Sequence, residues 1–140
     1  NSPVSNRWRG CFVSVAFFKQ AEPAVVAWAR SITANKLYIS AITLLELETA
    51  ILRLERRDPA QAAPLRSWLE HHVVPAFAGR ALSIEASVAR RCARLHVPDR
   101  CNECDALIAA TALVHGMTVV TRNTKDFTFS GALVLNPWEA

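Results

Sequence analysis

Hydrophobic and polar positions follow two different periods along the chain, and the longest apolar stretch covers residues 105–121. Its first part is apolar on nearly every side, starts at Asp105, an acid that can cap a helix, and ends at His115 and Gly116. This pattern predicts a buried helix. Residues 117–121 are rich in β-branched side chains and too few for a helix, which predicts a buried strand. A helix, a tight turn and a buried strand together form half of a parallel α/β unit.

The remaining apolar segments alternate between helix and strand patterns in the same way. Helices are predicted at residues 23–31, from Thr43 onwards, from Pro59 towards Phe77 and at residues 85–96. The helix towards Phe77 is expected to bend at Pro64 and to break at Pro75. Short strands are predicted at residues 11–18, 37–41, 81–84 and 132–135. Strands that alternate with helices indicate an α/β fold, with a central parallel sheet that helices cover on both faces.

Three acids fall where a sheet of this kind places its ligands. Asp105 starts a predicted helix, and Asp126 follows the C-terminal end of a predicted strand. Glu46 comes just after the C-terminal end of another strand, but it also stands three residues after Thr43, which is the spacing of a capping box. Glu46 is therefore either a capping residue or a metal ligand, whereas the positions of Asp105 and Asp126 suggest a metal site.

The composition indicates a single domain. A chain of 140 residues with 51% hydrophobic residues is large enough for one core and too small for two. We assign residues 11–140 to that domain and residues 1–10, which show no periodicity, to an irregular or non-native leader. No apolar run reaches the ~18 residues of a membrane span, and no signal peptide is apparent. A soluble, cytoplasmic protein without membrane contact is expected.

The net charge adds a preference for a polyanionic partner. A formal charge of +4 and a pI near 9.2 favour nucleic acid, although a surplus of this size also occurs in proteins that bind none. Arg90, Arg91 and Arg94 make the helix predicted at residues 85–96 basic. These arginines form either a solvated face or a patch that faces phosphates.

Three cysteines and a histidine raise a second metal possibility. Cys92 and His96 are four residues apart and share a helix face, and Cys101 and Cys104 follow after a loop. This set suits tetrahedral Zn2+. A core Cys92, a His96 at a helix end and a Cys-x-x-Cys that binds nothing explain the same pattern without metal. The cysteines are expected to be reduced, and Cys104 at a helix start is expected to have a lowered thiol pKa.

Four runs of residues resemble the PIN-domain family and, more narrowly, the VapC-type toxins of bacterial toxin–antitoxin pairs. They are Ser40-Ala-Ile-Thr-Leu-Leu-Glu-Leu-Glu-Thr, Asp105-Ala-Leu-Ile-Ala-Ala-Thr-Ala, Thr121-Arg-Asn-Thr-Lys-Asp-Phe and Leu135-Asn-Pro-Trp. The similarity extends from about Pro23 to Trp138, and the runs follow one another in the order and spacing of the family.

The resemblance implies a PIN-like three-layer α/β/α domain with a central parallel sheet, acting as a Mg2+- or Mn2+-dependent endoribonuclease. It also implies an RNA substrate, a homodimer and a cognate antitoxin that holds the enzyme inactive. Carried over position by position, Glu46, Asp105 and Asp126 match acids of the family's metal site. Thr121 and Asn123 match polar residues beside that site.

One element of the family pattern is absent. In the family the first hydrophobic strand ends in Asp-Thr-Asn, and its Asp is a principal metal ligand. Counting back from Pro23 places that triplet at about residues 9–11, where the sequence reads Arg-Gly-Cys, and no acid precedes Glu22. Either a replaced or frame-shifted N-terminal segment or a genuinely divergent N-terminus explains this change. With one acid missing, metal binding and RNA cleavage are expected to be weak.

Three classes of function therefore stand beside one another. They are a metal-dependent endoribonuclease toxin, a PIN fold that retains antitoxin or RNA binding but cuts poorly, and a zinc-stabilised interaction module. Association into at least a homodimer is also expected, because large aromatic side chains lie towards the termini, where a core covers them least. These side chains are Trp8, Phe17, Phe18 and Trp138.

Overall fold

The structure is a computed structural model that describes residues 11–14, 36–121 and 123–136. The strands in these ranges are β1 (Phe12–Ser14), β2 (Leu37–Ser40), β3 (Ala81–Leu82), β4 (Thr118–Val120) and β5 (Val134–Leu135). The helices are α1 (Ala41–Arg57), α2 (Pro59–Trp68), α3 (Val74–Ala76), α4 (Ala86–Leu95) and α5 (Glu103–His115). A π-helical turn covers Leu69–Val73, and a 3-10 helix covers Thr124–Ser130.

The predicted α/β fold with a central parallel sheet is confirmed. Among the described residues, five strands pair in parallel in the order β3-β2-β1-β4-β5. Strand β1 is central, since Phe12 pairs with both Leu37 and Thr118 and Ser14 pairs with Val120. Because every strand points the same way, the C-terminal ends of the strands lie along one edge of the sheet.

Several predicted features fall outside the described residues. They are the leader at residues 1–10, the later part of the first predicted strand, the helix predicted at residues 23–31, and the aromatic residues Trp8, Phe17, Phe18 and Trp138. The strands predicted at residues 81–84 and 132–135 are shorter than expected, because only two residues of each pair with a neighbour. None of the described helices is long and apolar enough to cross a membrane.

Helix α1 begins two residues before the predicted start. Ser40 ends β2 and caps the helix, since its hydroxyl oxygen accepts a hydrogen bond from the Ile42 N–H at 3.1 Å. Thr43 is instead buried, and its hydroxyl has no hydrogen-bond partner in the described part of the chain. The capping box predicted for Thr43 and Glu46 is therefore wrong, and Glu46 lies free of that role in the second turn.

The helix predicted from Pro59 towards Phe77 is interrupted at Leu69–Val73, and not at Pro75, where a break was expected. Helix α2 runs through Pro64, and the backbone then widens into the π-helical turn before α3. Arg66 of α2 holds this segment against α1 through ion pairs of 2.5 Å with Glu48 and 3.1 Å with Glu55. The pairs are partly exposed, so they fix the orientation of the two helices more than they stabilise the fold.

Helix α5 is the buried helix predicted from the apolar stretch. Ile108 and Ala109 are fully buried and pack with Val13, Val119 and Phe127 in the largest core cluster. The helix ends, as predicted, at Gly116, whose φ of 68° lies in the left-handed region that favours glycine. The strand predicted to follow at residues 117–121 is β4.

The start of α5 differs from the prediction. Asn102 caps the helix, because its side-chain oxygen accepts a hydrogen bond from the Asp105 N–H at 3.0 Å. The capping role predicted for Asp105 is therefore wrong. Asp105 lies in the first turn, where the positive end of the helix dipole favours an acidic side chain.

Candidate functional site

Three acids reach the edge formed by the C-terminal ends of the strands. Glu46 lies on α1, which starts directly after β2, and Asp105 lies in the first turn of α5. Asp126 lies on the 3-10 helix that follows β4. We call these three residues the acidic edge. The sequence separates them widely, but the parallel topology brings the ends of their elements to the same side of the sheet.

The carboxylates of the acidic edge influence one another. Burial and then the charge of Asp126 raise the pKa of Asp105 above its ordinary value. Burial and then the charge of Asp105 raise the pKa of Glu46. Asp105 is therefore the acid between the other two, since it feels the charge of Asp126 and acts on Glu46.

Hard divalent cations suit this set of donors, since Mg2+ and Mn2+ prefer carboxylate oxygens. A cation would also relieve the repulsion that raises the pKa of Asp105. The described residues do not form a complete metal site, however. Within residues 11–14, 36–121 and 123–136, no three carboxylate, imidazole or thiol groups lie close enough together to hold one ion. The donor chemistry fits a metal, and one or more further ligands are needed to close the site.

The end of β1 shows where one ligand is lacking. Ser14 is the last residue of β1, is almost fully buried, and pairs with Val120 at the end of β4. An acid that ended this strand, as in the family pattern, would therefore stand at position 14 on the same edge of the sheet. Counting along the sequence placed the triplet at residues 9–11, which lie before the other end of β1. If the acid ends the first strand as in the family pattern, the strand pairing favours position 14 instead.

Thr121 and Asn123 shape the loop that carries Asp126. The Asn123 N–H donates a hydrogen bond to the Thr121 hydroxyl at 3.1 Å, and the Asp126 N–H donates to the Asn123 carbonyl at 3.0 Å. Thr121 itself is buried, so the chain of hydrogen bonds starts from a fixed point. Phe127, which is 1% exposed, anchors the same loop in the core. These residues position Asp126.

A cavity of about 330 Å3 opens beside Glu46, between α1 and the start of α5. Arg53, whose charge is opposite to that of Glu46, also lines it. Arg53 stands seven residues after Glu46 and so shares its helix face. That spacing was the signal available in the sequence. The cavity is lined by Leu45, Glu46, Thr49, Ala50, Arg53 and Cys104.

The proposed zinc ligands do not converge on one point. Cys92 Sγ lies 3.8 Å from Nε2 of His96, whereas Cys101 Sγ lies 3.3 Å from Nδ1 of the same ring. The two nitrogens of an imidazole point away from each other, so one ion cannot replace both contacts. The Cys101 N–H also donates to Nδ1 at 3.2 Å. His96 thus serves as a hydrogen-bonding link between the end of α4 and the loop before α5.

The thiol of Cys104 also differs from expectation. Burial and then the charges of Glu46 and Asp105 raise its pKa, so the prediction of a lowered pKa at this helix start is wrong. The helix dipole favours a thiolate there, but the loss of water and three nearby carboxylates, those of Glu46, Asp105 and Glu103, oppose it more strongly. Cys104 is therefore a poor nucleophile at neutral pH.

The raised pKa values predict how stability depends on pH when no metal is bound. The folded chain holds protons on Glu46 and Asp105 more tightly than the unfolded chain, whose groups titrate near the ordinary values of 4.5 and 3.8. The stability contributed by protonation is complete below those values and is lost as pH rises through the folded pKa values. Asp105→Asn should therefore match the unmodified chain at low pH and exceed its free energy of unfolding at neutral pH.

Urea unfolding in the presence of a chelator measures this difference. Glu55→Gln is the opposite control, because a side-chain hydrogen bond from Arg66 lowers the pKa of Glu55. Loss of this carboxylate should destabilise the chain at neutral pH, and the effect should fade as pH falls from the ordinary pKa through the lower pKa of the folded chain. If Asp105→Asn lowers stability at neutral pH as Glu55→Gln does, the repulsion inferred for the acidic edge is absent.

Comparisons with known proteins agree with this geometry. The PIN-domain family model matches residues 12–129, and so includes β1 and the segment before Pro23. The chain is 37% identical to VapC ribonuclease Y4jK of Sinorhizobium fredii, over 86% of this chain and 89% of that protein. It is 36% identical to toxin FitB of Neisseria gonorrhoeae, over 85% of this chain and 88% of that protein. The crystal structure of FitAcB from Neisseria gonorrhoeae superposes with a TM-score of 0.76 at 34% identity, covering 87% of this chain and 90% of the other.

The fold and the position of the acids define a small parallel α/β domain with a carboxylate-lined edge. The family match covers far more than half of the chain, and two relatives exceed 30% identity over most of its length. The chain belongs to the PIN-domain family.

Proposed function

We propose that this chain is the toxin of a bacterial toxin–antitoxin pair and acts as a metal-dependent endoribonuclease with weakened catalysis. The observation that carries the proposal is the acidic edge, where the elements that bear Glu46, Asp105 and Asp126 in a PIN fold begin or follow at the C-terminal edge of the sheet, and where the charges of Asp126 and Asp105 raise the pKa values of Asp105 and Glu46. Relatives named as a VapC ribonuclease and as toxin FitB support the same function. The cytoplasm, where RNA and an antitoxin would be met, is the proposed location.

Glu46, Asp105 and Asp126 are the residues proposed to hold Mg2+ or Mn2+. When bound, such an ion polarises the scissile phosphate and lowers the pKa of the attacking water. Asp105 has the central role, because it interacts with both other acids. Thr121 and Asn123 keep Asp126 in place through the loop hydrogen bonds. Arg53 is placed to bind a phosphate of the substrate in the cavity beside Glu46.

A second candidate function is antitoxin binding with little or no cleavage. Ser14 favours it, because the strand end that should add a carboxylate adds a neutral hydroxyl. An apolar groove beside α1 also favours it, since Leu45, Leu52 and Val74 expose 54%, 54% and 47% of their surface. A cognate antitoxin is the proposed occupant of this groove. A homodimer is also part of the proposal, and a sedimentation measurement that shows only monomer at high micromolar concentration would count against it.

Residual RNA cleavage tests the proposed site. We expect slow cleavage that requires Mg2+ or Mn2+, stops with a chelator, and falls at least tenfold further in Asp105→Asn. Glu103→Gln is the matched control, because Glu103 also lies in the first turn of α5 but is exposed and outside the acidic edge. Cleavage that survives in Asp105→Asn, or that falls equally in Glu103→Gln, contradicts the assignment. An antitoxin that binds tightly to a chain without cleavage would instead favour the second candidate.

A further inference from the structure

Helix α4 carries a cleft that the proposed nuclease site does not use. The cleft has a volume of about 240 Å3 and is lined by Ser87, Arg90, Arg91, Arg94 and Val114. We call it the arginine cleft. All three arginines are exposed, and none forms an ion pair with another residue in the described part of the chain. Three positive charges therefore face one concave surface.

An ordinary solvated helix face carries charges of both signs. Helix α1 is of this kind, since it has Glu48 and Glu55 among its arginines. Helix α4 has no acidic residue between Ala86 and Leu95, and Arg90 and Arg94 stand four residues apart, where like charges repel. The arrangement destabilises the isolated helix and is relieved by a bound anion. The helix dipole favours Arg94 in the last turn, but it gives no reason for Arg90 one turn earlier.

Guanidinium groups bind phosphate through paired hydrogen bonds, and the Ser87 hydroxyl can add another donor. From Ser87 to Arg94 the helix rises about 10 Å, which is longer than one phosphate group and suits successive phosphates of a chain. Val114 brings α5 to the wall of the cleft, nine residues beyond Asp105 and so about 14 Å along the helix axis. The cleft is thus separate from the acidic edge but within the span of a few nucleotides.

We propose that Arg90, Arg91 and Arg94 form a second, non-catalytic binding site for the phosphate backbone of single-stranded RNA. This site holds a part of the RNA that is not being cut and so raises the affinity of the whole molecule. The choice of RNA among polyanions rests on the proposed function, whereas the phosphate site itself rests on the cleft. Binding to this site requires no metal.

Fluorescence anisotropy of a labelled single-stranded RNA of 12 nucleotides, measured in EDTA, tests the site without cleavage. In Arg90→Gln/Arg94→Gln the affinity should fall about tenfold at 50 mM salt. The slope of log affinity against log salt should become smaller by about 1.4, since about 0.7 is lost for each phosphate contact. The ratio of the RNA affinity of the unmodified chain to that of Arg90→Gln/Arg94→Gln should then shrink about sevenfold between 50 and 200 mM salt.

Arg56→Gln/Arg57→Gln is the matched control, because it removes the same charge from exposed arginines at the end of α1. The control should change affinity less than twofold and leave the salt slope unchanged. Arg90→Lys/Arg94→Lys should keep the slope and lose part of the affinity, since lysine keeps the charge and not the paired donors. Circular dichroism checks that every variant is folded.

Equal losses in Arg90→Gln/Arg94→Gln and in the control overturn the proposal, because net charge alone would then explain binding. Displacement of the RNA by polyglutamate at equal charge concentration overturns the choice of RNA and indicates an acidic protein segment. Arginine-dependent RNA binding in a chain that shows no metal-dependent cleavage supports the cleft and counts against the proposed nuclease. The two proposals can therefore fail separately.

Discussion

Replacing Ser14, Val15 and Ala16 with Asp, Thr and Asn is expected to increase Mg2+-dependent RNA cleavage by on the order of 100-fold. Strand β1 ends at Ser14, so the new carboxylate would stand at the same edge as Asp105 and Asp126. Changes in residues that only support metal ligands alter activity by about 10- to 100-fold, and a direct ligand should matter at least as much. Initial rates on a defined single-stranded RNA, with and without chelator, measure the effect.

The control for this graft is Asn-Thr-Asn at the same three positions. It keeps the shape of the triplet and omits the negative charge, so its cleavage rate should stay close to that of the unmodified chain. Adding Asp105→Asn to the Asp-Thr-Asn chain should remove the gain. If the unmodified chain cuts as fast as the grafted one, three acids are sufficient and the role inferred for position 14 is wrong.

Phe127→Ala is expected to lower the free energy of unfolding by about 3–5 kcal/mol. Phe127 is 1% exposed and packs in the same cluster as Val13, Ile108 and Val119, so its removal leaves a cavity at the centre of the domain. A loss of this size is a large part of the roughly 5–15 kcal/mol that holds a domain folded. It should also loosen the loop that presents Asp126.

Phe129→Ala supplies the comparison, because Phe129 lies on the same 3-10 helix and is 41% exposed. Its cost should stay below about 1 kcal/mol, since less apolar surface is returned to water. Urea denaturation of both variants gives the two values. Similar losses for Phe127→Ala and Phe129→Ala would show that the loop is not anchored through Phe127.

The elements that the sequence predicts well are those with local signals. The apolar stretch before Gly116 and the β-branched run after it specify α5 and β4. The length and hydrophobic period of each segment agree with these elements, and so does a glycine that can adopt the left-handed conformation at the end of the helix. The acids at the sheet edge follow from the same reasoning, because helices and strands that alternate place their joining loops at defined edges. The fold was therefore predictable from the sequence, and the metal site that the same reasoning places at this edge stays a prediction.

The first residues of the helices were harder to predict, because several residues near each start can cap a helix. Thr43 and Asp105 have suitable side chains, yet Ser40 and Asn102 are the caps. For α1 the choice depends on where β2 stops pairing with β3, and Ser40 is the last paired residue. That end point is set by tertiary structure.

Contacts between elements that are distant along the chain could not be predicted from the sequence either. The π-helical turn has no composition signal, and the link of Arg66 to Glu48 appears only when α2 folds back on α1. The spacing of residues in the sequence predicted that Cys92 and Cys101 lie near His96. It could not show that Cys92 approaches Nε2 of the imidazole ring and Cys101 approaches Nδ1. The position of the missing acid likewise required the strand register.

Mn2+ binding, followed through the electron paramagnetic resonance signal of the free ion, tests the metal site most directly. The measurement compares the unmodified chain, the chain with Asp-Thr-Asn at residues 14–16, and that chain with Asp105→Asn. The proposal predicts weak binding in the first, one ion bound at least tenfold more tightly in the second, and loss of that gain in the third. Equal Mn2+ affinity in all three chains would contradict it, because neither the strand end nor Asp105 would then hold the ion.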